Sequence, residues 1–418
     1  MPLFTYSNLV KALLFITLFI LGLPLDGQLG RFSIGSMYVG DGAVPASAVE
    51  EISKTNTMIF WLIIYLLAFL VFIRKSKHAY FLIKIIPLYL IFLLYLFMST
   101  FWSTEPFNGV FELFQLLATT LVCSIIVFYY RNKPYQLIQH AALALGAAQF
   151  ISFLLVVIAP SLAIPPNGRW VGMYGAPNYF GALAFCSLCV NAAVLRVLKP
   201  LSSRVNVLFV LVSLCNLLGT NSVTSALCAC IALGGMFVWP YLFGPGPSAH
   251  KNQLLLALFC MFLALLYFVG VIDFLITEGL SSSGRSTNLS GRSEIWAEAI
   301  SAISNNFILG HGYGTKPQLV SIPRLHDLHS SYLTILYSGG VVAFALFLLS
   351  LLHVARSIFL LNSIDLVLCR IVAPIFFTTL IYSISETALV RPRSPIFVMF
   401  ILMILLIQIN VYKRRYKL

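Results

Sequence analysis

The segment SSYLTILYSGGVVAFALFLLSLL occupies residues 330–352 and contains no charged side chain. A helix of about 20 apolar residues is long enough to cross the hydrocarbon core of a bilayer. Because lipid offers no partner to unpaired backbone amides, such a segment predicts a transmembrane α-helix. Similar apolar segments recur on both sides of it. The chain is therefore predicted to be an all-α integral membrane protein with about twelve transmembrane helices.

The predicted helices fall into two groups, separated by one large polar loop. They are residues 9–25, 57–73, 80–99, 108–130, 136–160, 178–196, 204–219, 222–241, 253–273, 330–352, 366–387 and 394–412. Residues 1–273 thus hold helices one to nine, and residues 330–418 hold helices ten to twelve and a basic tail. Residues 274–329 are too polar to span a membrane and form the loop between the two groups.

The composition supports this prediction and excludes several other classes of protein. Of 418 residues, 60% are hydrophobic and only 9% are charged, and the mean hydropathy is +0.95. Soluble domains carry roughly 25% charged residues, so a cytosolic enzyme and a disordered protein are excluded. All eight cysteines lie inside apolar segments, where thiols behave as small hydrophobes rather than as a disulfide framework or a zinc site.

The basic residues orient the chain rather than indicating a nucleic-acid partner. Lys and Arg number 26 against 13 Asp and Glu, and they lie mostly at the ends of apolar segments. With the N-terminus inside, 17 basic residues are cytoplasmic and 9 are outside. This satisfies the positive-inside rule, with both termini cytoplasmic and the large loop on the outer face. We therefore expect the functional groups in the outer loops.

Several arginines lie on the outer side against this trend. They are Arg31, Arg169, Arg285, Arg292, Arg324, Arg391 and Arg393. Guanidinium groups make bidentate contacts with phosphates and carboxylates. If they converge, these residues would suit an anionic, lipid-linked substrate such as a polyprenyl pyrophosphate. Contact with anionic lipid head groups, or small local ion pairs, is the alternative explanation.

Two glycine-rich motifs contain outer arginines. The first, NGRWVGMYGAPNY at residues 167–179, contains Arg169 and leads into the sixth helix, whose N-terminus could attract phosphate. The second begins with SGRSEIW at residues 290–296, where Arg292 stands beside Glu294, and ends with GHGYG at residues 310–314. Within this second motif, apolar residues recur at helical spacing, which predicts a short amphipathic helix on the outer surface. Its apolar positions are Ile295, Ala299, Ile300 and Ile303.

A third group of polar residues stands where the chain re-enters the membrane. It contains His326, Asp327 and His329. A neutral imidazole is a natural general base near pH 7, and a nearby carboxylate can fix its tautomer. The alternatives are a zinc ion shared by the two histidines and a purely structural pair. Glu386, near the outer end of the eleventh helix, is a further candidate, although a local ion pair with Arg391 would explain it almost as well.

These motifs together resemble the O-antigen ligase and polymerase superfamily, the membrane glycosyltransferases of bacterial surface-polysaccharide assembly. The resemblance covers most of the chain and depends on the order of its parts. These are FWS at residues 101–103 with Pro106, Arg169 followed by Gly172 and Pro177-Asn178, Gly291-Arg292 with Trp296, GHGYG at residues 310–314, and His329 followed by Tyr332-Leu333 and Gly339-Gly340.

The resemblance implies a metal-independent enzyme without a cofactor, in the bacterial inner membrane. It implies an undecaprenyl-pyrophosphate-linked oligosaccharide as the donor and an active site facing the periplasm. His329 is then the expected catalytic base, oriented by Asp327, and Arg169 and Arg292 are expected to hold the pyrophosphate. Further residues expected to bind the pyrophosphate or the sugar are Arg285, Arg324, Arg391, Glu386, His326, Asn178 and Tyr332.

One departure from the family pattern lies after the seventh helix. Many relatives carry a basic residue in this turn, whereas the present chain reads TNSVTS at residues 220–225. If a positive charge is required there, Arg285 or Arg391 is expected to supply it.

The acceptor could be a second lipid-linked repeat, as in a polymerase, or the lipid A core, as in a ligase. The motifs lie somewhat closer to those of exopolysaccharide polymerases, for which the resemblance also implies a chain-length regulator as a partner. A transporter or flippase for the same lipid-linked sugar is the alternative from another class. It would place basic residues in a central cavity at mid-membrane depth, whereas the mid-span charges here are chiefly Lys84 and Glu112.

Overall fold

The computed structural model describes residues 6–20, 62–66, 68–70, 77–166, 168–198, 203–244, 292–317, 327–392 and 394–416. Within these ranges the regular structure is entirely helical. The principal helices are α1 (Tyr6–Ile20), α2 (Lys77–Ile85), α3 (Pro87–Ser99), α4 (Pro106–Tyr129), α5 (Pro134–Ile158), α6 (Pro177–Ala193), α7 (Ser203–Gly219), α8 (Val223–Phe243), α9 (Arg292–Asn305), α10 (Ser331–Ile364), α11 (Leu366–Tyr382) and α12 (Pro395–Tyr416). The predicted all-helical class is confirmed.

Six of the described helices are long and apolar enough to cross a membrane. They are α4, α5, α6 with its continuation to Leu198, α8, α10 and α12. Four further helices are apolar but shorter: α1, α3, α7 and α11. Of the predicted span at residues 57–73, the described residues 62–66 and 68–70 are helical, whereas residues 253–273 lie outside the described ranges. The total of twelve spans and the side of the membrane on which the large loop lies stay predictions.

Three differences between the predicted and the observed helices bear on the site and on the second cavity described below. The third span is divided into α2 and α3 at Pro87, which has no N–H to continue the preceding helix. The tenth helix continues to Ile364, beyond the predicted residue 352, and ends before Asp365, whose carboxylate caps α11 by accepting from Leu368 N at 2.9 Å. The eleventh helix ends at Tyr382 rather than at residue 387. Consequently Glu386 lies in a turn beyond the helix.

Helix α12 lies at the centre of the bundle and packs against α4, α6, α10 and α11. Its sequence is apolar on every face from Ile396 to Ile407. A helix without a polar face is stable only when other helices or lipid surround it. Here Ile396, Phe397 and Val398 are completely buried. The helices α4, α6, α10 and α11 therefore surround α12.

Helix α10 is interrupted at Gly340, whose φ of 63° and ψ of −165° are not helical. The GHGYG segment docks at this interruption and provides hydrogen bonds there. His311 N donates to Tyr337 O at 2.8 Å, and Gly312 N donates to Ser338 O at 2.8 Å. A Cβ atom on Gly340 would lie 2.2 Å from the carbonyl oxygen of Ile308. Both the dihedral angle and the close approach require glycine at this position.

The same glycine-rich segment also contacts the turn between α3 and α4. Tyr313 N donates to Ser99 Oγ at 3.1 Å, and the hydroxyls of Ser103 and Thr315 lie 2.9 Å apart. The segment therefore ties α3, α4 and α10 together at the end of the bundle where α10 begins. We call this end the site end, and the end where α10 finishes the opposite end.

Candidate functional site

Helix α9 positions the chain that precedes His329. The predicted amphipathic helix is present, and its side chains Ile295, Ala299 and Ile303 are buried with Leu328. Trp296 Nε1 also donates to Leu328 O at 3.1 Å. The fourth predicted apolar position, Ile300, is 59% exposed, because it lies to one side of the buried stripe of α9. The helix thus anchors the segment that carries the candidate base.

His329 adopts a left-handed backbone conformation, with a φ of 47°, immediately before α10. This conformation is uncommon outside glycine and often marks a functional constraint. Two neighbours stabilise it: His329 N donates to Asp327 Oδ1 at 3.1 Å, and Ser330 caps α10 by accepting from Leu333 N. Asp327 therefore holds the backbone of His329, in addition to lying near its ring.

The imidazole of His329 lies between two carboxylates. Its Nδ1 is 3.8 Å from Asp327 Oδ2 and 3.9 Å from Glu386 Oε2. Nδ1 is buried and forms no hydrogen bond with the described residues. Both distances exceed that of a direct hydrogen bond. The two carboxylates would nevertheless stabilise a positive charge on the ring if it accepted a proton.

Asp327 is held as a carboxylate by its surroundings. Burial acts to raise its pKa, but the Arg391 guanidinium, the Thr387 hydroxyl and His329 outweigh burial, so that the pKa lies below its usual range. Thr387 Oγ1 donates to Asp327 Oδ1 at 2.5 Å, and Arg391 forms an ion pair with Oδ2. The group is therefore negatively charged at neutral pH.

Glu386 joins segments that are far apart in sequence. Its Oε1 accepts from Arg292 Nη2 at 2.6 Å and from Asn178 Nδ2 at 3.1 Å. The side chains of Arg292 and Glu386 are only 16% and 15% exposed. The local Glu386–Arg391 ion pair considered from the sequence is not formed, because Arg391 pairs with Asp327 instead.

Arg169 completes a continuous set of polar contacts. Its Nη2 donates to Asn178 Oδ1 at 2.8 Å, and its Nε donates to Thr220 O at 2.9 Å. Asn178 therefore links Arg169 to Glu386, and Glu386 links Asn178 to Arg292. The guanidinium also lies at the C-terminal end of α7, where the helix dipole favours a cation. Arg169 thus has a structural role that does not require a ligand.

Arg169 lies beside the turn after α7, where the resemblance led us to expect a basic residue. Its Nη2 is 3.5 Å from Asn221 O in that turn. Arg391 forms an ion pair with Asp327, and the expectation that it also supplies this charge stays a prediction. Arg285, the other residue expected to do so, lies outside the described residues.

The predicted site residues are mostly brought together at the site end. Arg169, Asn178, Arg292, Asp327, His329, Glu386 and Arg391 form one connected group. Tyr332 does not belong to this hydrogen-bonded group; its hydroxyl donates instead to Leu380 O at 2.8 Å, between α10 and α11. Arg285, Arg324 and His326 lie outside the described residues.

A cavity of about 400 Å³ adjoins Asp327 and Arg391. Aromatic and polar side chains line it, among them Glu112, Tyr179, Tyr313, Lys316 and Tyr337. The three tyrosines were not among the residues predicted to bind substrate, because a tyrosine in an apolar or glycine-rich segment usually packs in the core. The GHGYG motif was the available signal, because Tyr313 belongs to it and Lys316 follows it closely.

The two mid-span charges lie at the ends of the bundle rather than at its centre. Glu112 is in the second turn of α4 and lines the cavity at the site end. Lys84 is in the last turn of α2 and lines a different cavity at the opposite end. Among the described residues, no group of three His, Cys, Asp or Glu side chains is arranged to hold a metal ion.

Comparison with known families gives one match. Residues 208–348 match the family model described as O-antigen ligase. No curated protein matches the chain. The matched residues include α9, the glycine-rich segment and the start of α10, and thus Arg292, Asp327 and His329. The resemblance to the O-antigen ligase and polymerase superfamily is confirmed over these residues, which supports a membrane enzyme that transfers glycosyl groups. Its extension to the FWS and Arg169 motifs, which lie before residue 208, stays a prediction.

Proposed function

We propose that the chain transfers an oligosaccharide from undecaprenyl pyrophosphate to a sugar hydroxyl at the periplasmic face of the bacterial inner membrane. The observation that carries the proposal is the position of His329, between Asp327 and Glu386 and within a connected group that includes three arginines. Such a group combines a base with cationic groups for an anionic leaving group. The family match includes the base and one of these arginines.

His329 is the proposed catalytic base. Its Nδ1 is buried beside the two carboxylates, so Nε2 is the ring nitrogen that takes the proton of the acceptor hydroxyl. As the acceptor oxygen forms its bond to the anomeric carbon, the bond from that carbon to the pyrophosphate oxygen breaks. The proton remains on the imidazole, and the electron pair leaves with undecaprenyl pyrophosphate. Asp327 and Glu386 stabilise the imidazolium that forms.

Arg292 and Arg169 are the proposed ligands of the pyrophosphate. Glu386 and Asn178 hold the two guanidinium groups in position before the donor binds. A preorganised cation stabilises the charge that develops on a leaving group without reorganising during the reaction. Arg391 is 55% exposed beside Asp327 and is the proposed third contact. The chemistry then requires neither a metal ion nor a nucleotide sugar, because pyrophosphate is already an activated leaving group.

The acceptor sugar is proposed to enter the cavity lined by Tyr179, Tyr313 and Tyr337. Aromatic faces provide apolar contact area for sugar rings, while Glu112 and Lys316 can hydrogen-bond to hydroxyls. Polymerisation of O-antigen or exopolysaccharide repeats is the proposed reaction, with a second lipid-linked repeat as the acceptor. The second candidate is transfer to the lipid A core, which the description of the matched family as O-antigen ligase favours.

The test uses purified protein, a synthetic undecaprenyl-pyrophosphate oligosaccharide and EDTA, without nucleotide sugar. Products are analysed with and without lipid A core. A ladder of repeats in the absence of lipid A core identifies a polymerase, whereas transfer that requires the core identifies a ligase. His329→Ala should abolish either product, and His353→Ala, which removes an imidazole farther along α10, should not.

The transporter alternative predicts a different outcome. If no glycosyl transfer occurs with either acceptor, and cells carrying His329→Ala make normal polysaccharide, the catalytic proposal is wrong. Movement of a fluorescently labelled lipid-linked donor from one leaflet to the other in reconstituted vesicles would then support a transporter.

A further inference from the structure

A second and larger cavity lies at the opposite end of the bundle. Its volume is about 720 Å³, and it lies between α2, α10 and α12. It shares no lining residue with the cavity at the site end. Neither the proposed reaction nor the family match assigns it a role.

The lining of this cavity carries a concentrated positive charge. Lys84, Arg356, Arg414 and Arg415 line it, and no aspartate or glutamate does. Within the described part of the chain, the three arginines form no ion pair. Arg414 and Arg415 lie in the last turn of α12, where the helix dipole also stabilises a cation. That effect concerns α12 alone and does not explain why cations on three helices face one cavity.

Polar groups lie among these cations. Gln408 is only 5% exposed and lines the cavity. Its Oε1 accepts from Ser357 Oγ at 3.1 Å, whereas its Nε2 is buried and donates to no described residue. Buried amide donors are normally satisfied. Gln408 therefore brings a buried amide with an unused donor to the wall of the cavity.

The wall of the cavity is apolar along part of its length. Ile85, Leu360 and Val411 contribute to it. Leu360 is also 46% exposed on α10, so the apolar wall is continuous with an exposed apolar side chain. The cavity therefore combines a cationic, hydrogen-bonding region with an apolar one.

We propose that this cavity binds an anionic phospholipid, with the phosphate at the arginines and part of an acyl chain along the apolar wall. Guanidinium groups bind phosphate oxygens in bidentate geometry. Basic pockets between transmembrane helices are a recurrent means of holding anionic head groups. A free phosphate ion would use the same cations but would leave the apolar wall without a ligand.

Native mass spectrometry of delipidated protein in neutral detergent provides the test. The protein is titrated with phosphatidylglycerol, with phosphatidylethanolamine of the same acyl chains, or with inorganic phosphate. We expect one or two phosphatidylglycerol molecules to bind at least about 10-fold more tightly than phosphatidylethanolamine. Arg356→Gln combined with Arg415→Gln should weaken phosphatidylglycerol binding by about 10- to 30-fold.

A matched control removes two positive charges outside the cavity. Lys133 and Arg204, at the starts of α5 and α7, do not line it. Lys133→Gln combined with Arg204→Gln should leave the affinity unchanged. An equal loss in this control would mean that general surface charge attracts the lipid, and the proposal would be overturned.

Two further outcomes also decide the question. If inorganic phosphate binds as tightly as phosphatidylglycerol and displaces it, the cavity is a site for free anions and the lipid proposal is wrong. If the double variant fails to fold, Arg414→Gln alone replaces it. The Arg414 side chain is exposed, and its loss should weaken binding by about 3- to 10-fold while the control stays unchanged.

Discussion

Arg292 Nη2 lies 2.6 Å from Glu386 Oε1, although 94 positions separate the two residues in the sequence. The contact joins the start of α9 to the turn after α11. Since the same oxygen accepts from Asn178, one carboxylate orients groups from two other segments. We therefore expect Glu386 to stabilise the site end as well as to take part in the proposed reaction.

Glu386→Ala should lower the stability of the protein by about 1–3 kcal/mol, because Arg292 and Asn178 lose a partner in a largely buried position. The measurement is the thermal unfolding temperature in detergent. Glu294→Ala is the matched control. Glu294 lies beside Arg292 in the first turn of α9, but Arg292 pairs with Glu386 instead. It should change the stability by less than about 0.5 kcal/mol. Equal effects of the two substitutions would contradict the assigned role of Glu386.

Gly340→Ala should destabilise the protein strongly. The added Cβ would lie 2.2 Å from Ile308 O, and the φ of 63° is unfavourable for alanine. We expect a loss of more than about 2 kcal/mol and reduced transfer activity, because the glycine-rich segment can no longer dock on α10.

Gly234→Ala in α8 provides the matched control for Gly340→Ala. A Cβ there meets no atom within 4 Å, so the substitution should be neutral or stabilise α8 by up to about 1 kcal/mol. If both variants unfold at the same temperature as the unaltered protein, the close packing described at Gly340 is incorrect.

The stability conferred by Asp327 should depend on pH. Because its pKa is lower in the folded chain than the usual 3.8, its contribution is present above that value and is lost as the pH falls through the lowered pKa. Asp327→Asn removes this contribution. The unfolding temperature of the unaltered protein should therefore exceed that of the variant at about pH 7, and the difference should shrink towards about pH 3. A difference that does not vary with pH would refute the ion-pair explanation.

Arg169→Lys should impair the site although it conserves the charge. The guanidinium contacts Thr220 O and Asn178 Oδ1 from two different nitrogen atoms, which a lysine ammonium cannot reproduce. We expect transfer activity to fall by at least about 10-fold, corresponding to about 1.4 kcal/mol. Activity close to that of the unaltered protein would mean that the positive charge alone matters.

Much of the fold follows from the sequence because the membrane imposes simple rules. Apolar segments of helical length predicted the helices α4, α5, α6, α8, α10 and α12 to within a few residues at their starts. Proline explains the division between α2 and α3, but whether a proline kinks or ends a helix depends on its neighbours. The continuation of α10 to Ile364 was not predicted, because its last turns contain polar residues that the hydropathy pattern excluded.

The types of residue in the site were also evident from the sequence. Arginines in loops predicted to be outside departed from the charge rule, and His329 stood near a carboxylate at a helix start. These signals selected Arg169, Arg292, Asp327 and His329 without any knowledge of distances. They did not indicate which partner each would have, because local spacing favours neighbours such as Glu294 or Arg391.

Only the tertiary structure decided the pairings. Glu386 contacts Arg292 and Asn178, and Arg391 contacts Asp327, because the packing of α6, α9, α10 and α11 brings their ends together. The sequence by itself determined an all-helical membrane protein with cationic and basic groups in its loops, since hydropathy and charge act locally along the chain. The geometry that joins these groups depends on contacts between distant segments, and no local pattern encodes such contacts.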